Sequence, residues 1–177
     1  MDILIVYGTS EGQTRKVAGY AAEGLRRSDH NVIVADATGA ISDLDLSLYD
    51  AVILASRVHA GRHHPAIVWF ARHYRRELAH METAFLAVSM SAARHVDGDD
   101  KRLTQYQVRL IGTIGWSPQI YHDVAGARMY TQHNRLSRWL LGWVDKWRYD
   151  TSKDHEFTDW HELGTFIERW AMAANQR

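Results

Sequence analysis

Several features are missing or scarce in this chain, and two of the absences narrow its function. There is no cysteine, which excludes disulfide bonds, thiolate catalysis, iron–sulfur clusters and zinc ribbons. Proline is limited to Pro65 and Pro118. Net charge is absent too, because 21 Lys and Arg residues balance 21 Asp and Glu residues. A balanced surface has no overall field that attracts DNA or RNA, so we expect no nucleic-acid partner.

Long apolar runs are also missing. No stretch approaches the roughly 20 apolar residues that span a bilayer, and the opening "ILIV" has the length of a strand rather than of a signal-peptide core. We therefore expect a cytoplasmic protein. The length of 177 residues suits one domain with its own core, and we expect residues 1–177 to form it.

What the chain does contain is a regular alternation of strand and helix patterns. Strands that are apolar throughout and separated by helices indicate a parallel sheet covered on both faces. The predicted fold is α/β, a doubly wound five-stranded parallel sheet in the order 2-1-3-4-5. The predicted strands are 2–7, 31–36, 50–56, 83–90 and 118–127, and the predicted helices are 13–27, 65–78, 99–115 and 158–174.

Ligands of doubly wound sheets bind at the carboxyl ends of the strands, next to the switch point between the first and third strands. This rule selects three loops before any motif is considered. They are residues 8–14, 56–64 and 89–98.

The first loop, "TSEGQT", predicts an anion site. Thr9, Ser10 and Thr14 offer hydroxyls, Gly12 permits close backbone approach, and the amides of residues 11–15 lie where a helix begins. No lysine is placed to reach a second or third phosphate, so a single phosphate monoester, as in FMN, fits better than a nucleoside triphosphate. The alternative is a capped helix start without a ligand.

The same loop carries a family resemblance. "TSEGQT" resembles the [ST]-x-x-G-x-T phosphate loop of flavodoxins, with Glu11 where many of them have Thr. "GTSEGQTRKVAGYAAEGL", "YDAVILASRVHAGRHHPAIVWFARHYRREL" and "EFTDWHELGTFIERWA" are similar to the menaquinone-dependent protoporphyrinogen IX dehydrogenases of the flavodoxin superfamily. The resemblance covers nearly the whole chain and is weakest in residues 128–157.

The resemblance implies a flavodoxin-like fold, FMN as the cofactor and a place in heme biosynthesis. The implied reaction oxidises protoporphyrinogen IX to protoporphyrin IX and passes the electrons to menaquinone or another quinone. A flavodoxin-type FMN electron carrier without its own substrate is the alternative, although such carriers are usually strongly acidic. A flavodoxin-fold interaction module with a degraded site, and a quinone or NAD(P)H reductase of the same fold, also remain open.

The resemblance further implies which residues meet the flavin. Gly61 would allow a turn or a flipping peptide near the flavin N5, and the loop after the fourth strand would present amides to the pyrimidine edge. The predicted cofactor-binding residues are Thr9, Ser10, Glu11, Gly12, Gln13, Thr14, Ser56, Arg57, Val58, His59, Ala60, Gly61, Ser89, Met90, Ser91 and Ala92.

Because a guanidinium matches a carboxylate in bidentate fashion, we expect at least one of four arginines to bind the propionates of the implied substrate, the alternative for each being a solvated surface charge. They are Arg57, Arg62, Arg94 and Arg128. His59 is the candidate catalytic residue, as a base for the proton that is lost. The alternative for His59, His63 and His64 is a surface histidine cluster, and we expect no metal site because no third ligand accompanies the adjacent pair.

The segment 128–157 is too long for a simple strand-to-helix loop. Basic residues and helically spaced tryptophans between 135 and 148 are typical of a helix lying in a membrane interface, and menaquinone resides in the bilayer. We therefore expect a contact with the inner face of the cell membrane. The alternatives are a helix packed on its own domain, in a homodimer interface or over the substrate site. The apolar positions are Leu136, Trp139, Leu140, Trp143, Val144 and Trp147.

Overall fold

The structure, a computed structural model, describes residues 1–39, 41, 43–90, 92, 99–128 and 155–176, with only the backbone at 99, 100, 127, 128, 155 and 156. Regular elements occupy most of this part of the chain. They are β1 (Asp2–Gly8), α1 (Gln13–Arg27), β2 (Asn31–Asp36), a short 3-10 helix (Leu46–Leu48), β3 (Ala51–His59), β4 (Arg62–His63), α2 (Pro65–His73), α3 (Arg75–Leu78), β5 (Glu82–Ser89), α4 (Asp99–Ile114), β6 (Ile120–Ala125), β7 (Ala127–Arg128), β8 (His155–Glu156) and α5 (Trp160–Ala174).

The main sheet is parallel, with the order β2-β1-β3-β5-β6 and β4 paired to β3. Counted over its five long strands, this is the 2-1-3-4-5 order, so the predicted fold class is confirmed. In the centre of the sheet Ile5 lies beside Ile53, which in turn lies beside Ala84. The carboxyl ends of β1, β3 and β5 therefore meet at one edge of the sheet.

Each face of the sheet is covered by two helices. Ile3, Ile5 and Tyr7 of β1 pack towards α1 and α5, whereas Leu4 and Val6 pack towards α2 and α4. Because successive strand residues point to opposite faces, covering both faces requires apolar residues at every position. This requirement is the physical reason why the apolar runs of β1, β3 and β5 are unbroken.

The loop predicted after the third strand is a β-hairpin instead. β3 continues to His59, and β4 pairs back in antiparallel fashion, with Val58 opposite His63 and His59 opposite Arg62. The turn between the strands has positive φ at Ala60 (48°) and Gly61 (72°). A strand of two residues is too short to show a period, so the prediction of an open loop at 56–64 was wrong.

The helix predicted at 65–78 is interrupted at Tyr74, whose φ of −96° and ψ of 19° are not helical. The Tyr74 side chain is 6% exposed. Its hydroxyl donates to the carbonyl of Ile41 at 3.1 Å and accepts from the amide of Leu44 at 3.0 Å. These contacts hold the crossover between β2 and β3 against the end of α2, a long-range cause that local pattern does not show.

The predicted insertion 128–157 lies mostly outside the described residues, including all of 135–148. Its two ends are described, because Ala127 pairs with Glu156 and Arg128 pairs with His155 in an antiparallel ribbon. The amide of Phe157 also donates to the carbonyl of Gly126 at 3.2 Å. The insertion therefore leaves and rejoins the domain at one place, next to the carboxyl end of β6.

Candidate functional site

The loop between β1 and α1 makes a tight turn at the edge where the strands end. Gly12, immediately before α1, has φ 87° and ψ −17°, a left-handed conformation that residues with a Cβ disfavour. Its amide donates to Thr9 Oγ1 at 3.0 Å, and its carbonyl accepts from the amide of Lys16 at 3.1 Å. The turn places the first amides and the positive dipole end of α1 at this edge, which favours an anion.

The loop is anchored to the far side of the site through Gln13. Gln13 is buried, and its Nε2 donates to Thr158 Oγ1 at 2.8 Å. The Thr158 hydroxyl in turn donates to the carbonyl of Ala125, at the end of β6, at 2.7 Å. Asp159 is the residue that caps α5, since its Oδ1 accepts from the amide of Glu162 at 2.9 Å.

A cavity of about 80 Å³ lies where the ends of β1, β3 and β5 meet. All three loops selected by the switch-point rule contribute to its wall. The volume is below the roughly 300–1,000 Å³ of a complete ligand pocket, so the enclosed part has room for only a portion of a ligand. The lining residues are Thr9, Glu11, Gln13, Thr14, Arg57, Val58, His59, Val88, Ser89, Met90 and Gly126.

Most of the predicted cofactor residues thus lie on one cavity, and Val88 and Gly126 join them without having been predicted. Ser56 has a structural role, because its Oγ accepts from the amide of His64 at 3.0 Å and donates to the carbonyl of Arg57. The amide of Ala92 donates to Ser89 Oγ at 3.1 Å. Ser91 lies outside the described residues.

Arg57 brings an unsatisfied hydrogen-bond donor to this cavity. Its Nε is buried and has no hydrogen-bond partner in the described part of the chain. A buried guanidinium donor without an acceptor is costly, and an anionic or carbonyl group in the cavity would satisfy it. Burial lowers the pKa of the neighbouring His64, and the charge of Arg57 lowers it further while Asp36 raises it. Burial and the Arg57 charge thus favour a neutral His64.

Two glycines allow the close approaches that shape the site. A Cβ on Gly8 would lie 2.8 Å from His64 Nδ1 and 2.8 Å from Ile67 Cγ1, so glycine lets the start of α2 pack against the end of β1. A Cβ on Gly126 would lie 3.3 Å from the carbonyl group of Ser89. The amide of Gly126 donates to that same carbonyl at 2.8 Å, which fixes the end of β5.

The surface histidine cluster does not form. His59 is exposed at the end of β3 and lines the cavity. His63, in contrast, is 8% exposed, with its ring edge against Phe85 and its Nε2 3.3 Å from the hydroxyl of Tyr121. Burial lowers the pKa of His63 to about 4. His64 is half-buried, and its Nδ1 accepts from the amide of Ala66 at the start of α2.

The four predicted substrate arginines are not in one place. Arg57 lines the small cavity, and Arg62 lines a second cavity of about 840 Å³ between α2 and α4. Arg94 lies outside the described residues, and only the backbone of Arg128 is described, in β7. Arg57 and Arg62 therefore do not share one site, and which arginine binds the substrate stays a prediction.

Two features are absent from the described residues. None of the helices in these ranges combines the length and hydropathy needed to cross a membrane. No three His, Cys, Asp or Glu side chains in the same ranges are grouped to hold a metal ion.

The fold and the anion-binding edge define a class of protein. The model of the flavodoxin domain family matches residues 4–155, so the chain belongs to this family. FMN is the cofactor that membership implies, and the residues fit it: the turn at Gly12, the amides at the start of α1 and the unsatisfied Arg57 Nε all suit a phosphorylated, carbonyl-bearing ligand.

Curated relatives extend the comparison over nearly the whole chain. It is 27% identical over 174 residues to a protoporphyrinogen IX dehydrogenase [quinone] from Escherichia coli, covering 97% of this chain and 95% of that protein. It is 26% identical over 174 residues to a protein of the same name from Leishmania major, covering 95% of this chain and 74% of that protein.

Solved structures support the fold alone. Oxidised flavodoxin 1 from Bacillus cereus matches with a TM-score of 0.59 at 12% identity, covering 97% of this chain and 98% of that one. A flavodoxin from the domain Archaea matches with a TM-score of 0.58 at 12% identity, covering 99% of both chains.

Proposed function

We propose that the protein is an FMN-dependent oxidoreductase that oxidises protoporphyrinogen IX to protoporphyrin IX and passes the electrons to a quinone. The observation that carries this proposal is the cavity at the ends of β1, β3 and β5, built from all three loops of a flavodoxin domain. The substrate and acceptor come from the names of the curated relatives, which match 97% and 95% of this chain.

The phosphate of FMN would be held by the loop before α1. Thr9, Ser10 and Thr14 supply hydroxyls, and the amides after Gly12 supply the positive end of the helix dipole. Glu11 also lines the cavity, and its carboxylate would oppose a phosphate dianion unless it turns away. When bound, FMN supplies the hydride and electron chemistry, whereas the protein supplies binding, orientation and charge.

The protein's own side chains contribute to the oxidation in two ways: they stabilise negative charge and they accept a proton. Arg57 brings a permanent positive charge to the cavity, where it stabilises negative charge that develops there. His59, exposed at the mouth of the cavity, has an imidazole that can accept the proton released from the substrate. His63 is unsuited to this role because it is buried, with a pKa lowered to about 4, and does not line the cavity.

We also propose that the quinone is menaquinone and that residues 135–148 hold the enzyme at the membrane surface. The support is the sequence pattern of tryptophans and basic residues. The ribbon of β7 and β8 joins the two ends of the loop that contains this segment, beside Gly126, which lines the cavity. A segment that leaves the domain there is well placed to bring a membrane-borne acceptor to the cofactor.

The steady-state test is the appearance of protoporphyrin IX fluorescence under anaerobic conditions. We expect porphyrin to form only when FMN, protoporphyrinogen IX and a menaquinone analogue are all present. His59→Gln should slow turnover by about 10²-fold if the imidazole is the base, and His80→Gln, at an exposed position outside both cavities, should have little effect. Formation of porphyrin at the uncatalysed rate with all components present would contradict the proposal.

A further inference from the structure

A groove between α2 and α4 is much larger than the cofactor cavity. Its volume is about 840 Å³, which is within the range of pockets that hold a whole small molecule. It lies on the α2/α4 face of the sheet, beyond the hairpin of β3 and β4, and none of the residues that line it lines the cofactor cavity. The flavodoxin-type site therefore does not account for it.

The groove is strongly and uniformly basic. Arg62, Arg72, Arg75 and Arg109 line it, and no Asp or Glu is among the lining residues. Within the described part of the chain, none of these four arginines forms a salt bridge. Four like charges around one opening repel one another, and a bound anion relieves that repulsion. Four clustered arginines therefore favour a ligand that carries more than one negatively charged group.

Two of the arginines are already held in position by main-chain carbonyls. Arg75 Nη1 donates to the carbonyl of Arg72 at 3.0 Å, and Arg109 Nη1 donates to the carbonyl of Gly61 at 3.1 Å. A guanidinium has five N–H donors, so one such bond leaves most of them for a ligand. Oriented guanidinium groups favour carboxylates, which accept two parallel hydrogen bonds.

The groove also has an aromatic wall. Trp69 is 45% exposed and stacks on His73, with ring centroids 4.8 Å apart and planes 12° from parallel. Val68 and the buried Leu110 complete the apolar part of the lining. A large, open, flat surface of this kind suits the face of a planar apolar group. The ligand should therefore combine a flat apolar body with carboxylates.

The groove adjoins the cofactor cavity through the hairpin. Val58 and His59 line the cavity, and Gly61 to His63 line the groove. His59 and Gly61 are two residues apart, which is at most about 7 Å along the chain. A Cβ on Gly61 would lie 3.0 Å from Tyr106 Cε1 and 3.3 Å from Arg109 Nη1, so glycine lets the hairpin tip close onto α4.

We propose that this groove binds an amphipathic polycarboxylate, with its carboxylates on Arg62, Arg72, Arg75 and Arg109 and its flat apolar body against Trp69. That this ligand is the porphyrinogen rests on the proposed function: its two propionates match the arginines. Its macrocycle is bent at the sp3 meso carbons, but each of its pyrrole rings is flat, and the whole ring system of the porphyrin product is flat. The groove replaces the predicted arginine set: Arg62 is retained, and Arg72, Arg75 and Arg109 are new. The substrate is thereby seated beside the cofactor with its anionic end on the α2/α4 face.

The test compares protoporphyrin IX with its dimethyl ester, which has the same ring system and no carboxylates. Each is titrated into the FMN-loaded protein, and binding is followed by porphyrin fluorescence. We expect the diacid to bind at least about ten-fold more tightly than the ester. The double variant Arg72→Gln/Arg109→Gln should lose at least about ten-fold in affinity for the diacid and little for the ester. Trp69→Ala should weaken the binding of both.

The matched control removes two arginines from elsewhere on the surface. Arg27→Gln/Arg169→Gln changes the net charge by the same amount on α1 and α5, and it should bind the diacid as the wild type does. Equal affinity of the groove variant and the wild type for the diacid would overturn the proposal. Binding to anionic phosphatidylglycerol vesicles is measured with the same variants. The proposal would also be overturned if vesicle binding depended on Arg72 and Arg109 while binding of the diacid did not.

Flavin reduction by protoporphyrinogen IX separates this proposal from the proposed reaction. If the diacid binds in the groove and the flavin stays oxidised, the groove stands and the reaction fails. If the groove variant reduces its flavin with unchanged KM and kcat, the reaction stands and the groove fails. FMN content and thermal unfolding of the variants are measured first, and both should match the wild type because all four arginines are exposed.

Discussion

Gly12 is the single residue on which the phosphate loop depends most directly. Its φ of 87° is natural for glycine and strained for any residue with a Cβ. A Cβ there would meet only Arg15 Nη2, at 3.9 Å, so the cost of substitution comes from the backbone and not from crowding. The left-handed turn is thus a backbone device that presents the amides of α1.

Gly12→Val should therefore weaken FMN binding by at least about ten-fold and destabilise the fold by about 1–2 kcal/mol. Gly19→Ala is the matched control, because Gly19 lies inside α1 with nothing within 4 Å of its added Cβ. The control should keep FMN affinity and gain about 0.5–1 kcal/mol of stability. Quenching of FMN fluorescence gives the affinity, and denaturant unfolding gives the stability. Normal FMN affinity of Gly12→Val would overturn the loop assignment.

The lining of the candidate site was predictable where a sequence motif or the switch-point rule marks its residues. Thr9 to Thr14 follow one another along the chain, and their order alone identifies the loop. Thr158 reaches the site by holding Gln13 from 145 positions away, and nothing local marks it. The alternative of a surface histidine cluster fails at His63. Successive strand residues face opposite sides, so in β4 Arg62 is exposed and His63 is buried.

The bounds of a helix were predictable where particular residue types occur at its two ends. α1 begins at Gln13 and ends at Arg27 as predicted, with the glycine before it and the two arginines in its last turn. The hairpin of β3 and β4 was missed because its turn has a positive φ at Ala60, and alanine in a sequence does not predict a positive φ. This hairpin separates the two cavities, so the missed element is also the one that organises the site.

The segment 135–148 yields a prediction at the element scale. Trp139→Ser/Trp143→Ser should reduce co-sedimentation with anionic vesicles several-fold, because tryptophans anchor a helix in the membrane interface. Leu48→Ser/Met172→Ser removes two other apolar side chains, exposed by 68% and 66%, and should leave binding unchanged. Identical co-sedimentation of the tryptophan variant and the wild type would favour a helix packed on its own domain.

At the scale of the whole molecule, the sheet was predictable and the groove was not. Continuous apolar strands between helices leave few alternatives to a doubly wound sheet. The groove takes Arg62 from β4, Arg72 from α2 and Arg109 from α4. No spacing in the sequence relates these positions, and only the packing of α2 against α4 brings them together.

Two buried titratable groups should give stability opposite dependences on pH. Burial lowers the pKa of His63 from 6.5 to about 4, so its contribution is present above pH 6.5 and is lost as the pH falls towards 4. Burial raises the pKa of Asp123 from 3.8 to about 6, so its contribution is present below pH 3.8 and is lost as the pH rises through 6.

Asp123→Asn should therefore stabilise the protein at pH 8 and not at pH 4. A shift of this size, discounted for the solvent that still reaches the carboxylate, amounts to about 1–2 kcal/mol. Asp43→Asn, at an exposed position, is the control and should change stability little at either pH. Urea unfolding at the two pH values measures the difference, and an equal effect of Asp123→Asn at both would contradict the assigned pKa shift.

The central claim is most directly tested by a single-turnover experiment on the FMN-loaded protein. Protoporphyrinogen IX is added without oxygen, the visible absorbance of the flavin is followed, and a menaquinone analogue is then added. The proposed function predicts that the absorbance bleaches with the substrate and recovers with the quinone. A flavin that is bound but stays oxidised would contradict the proposed reaction and favour an electron carrier built on the same fold.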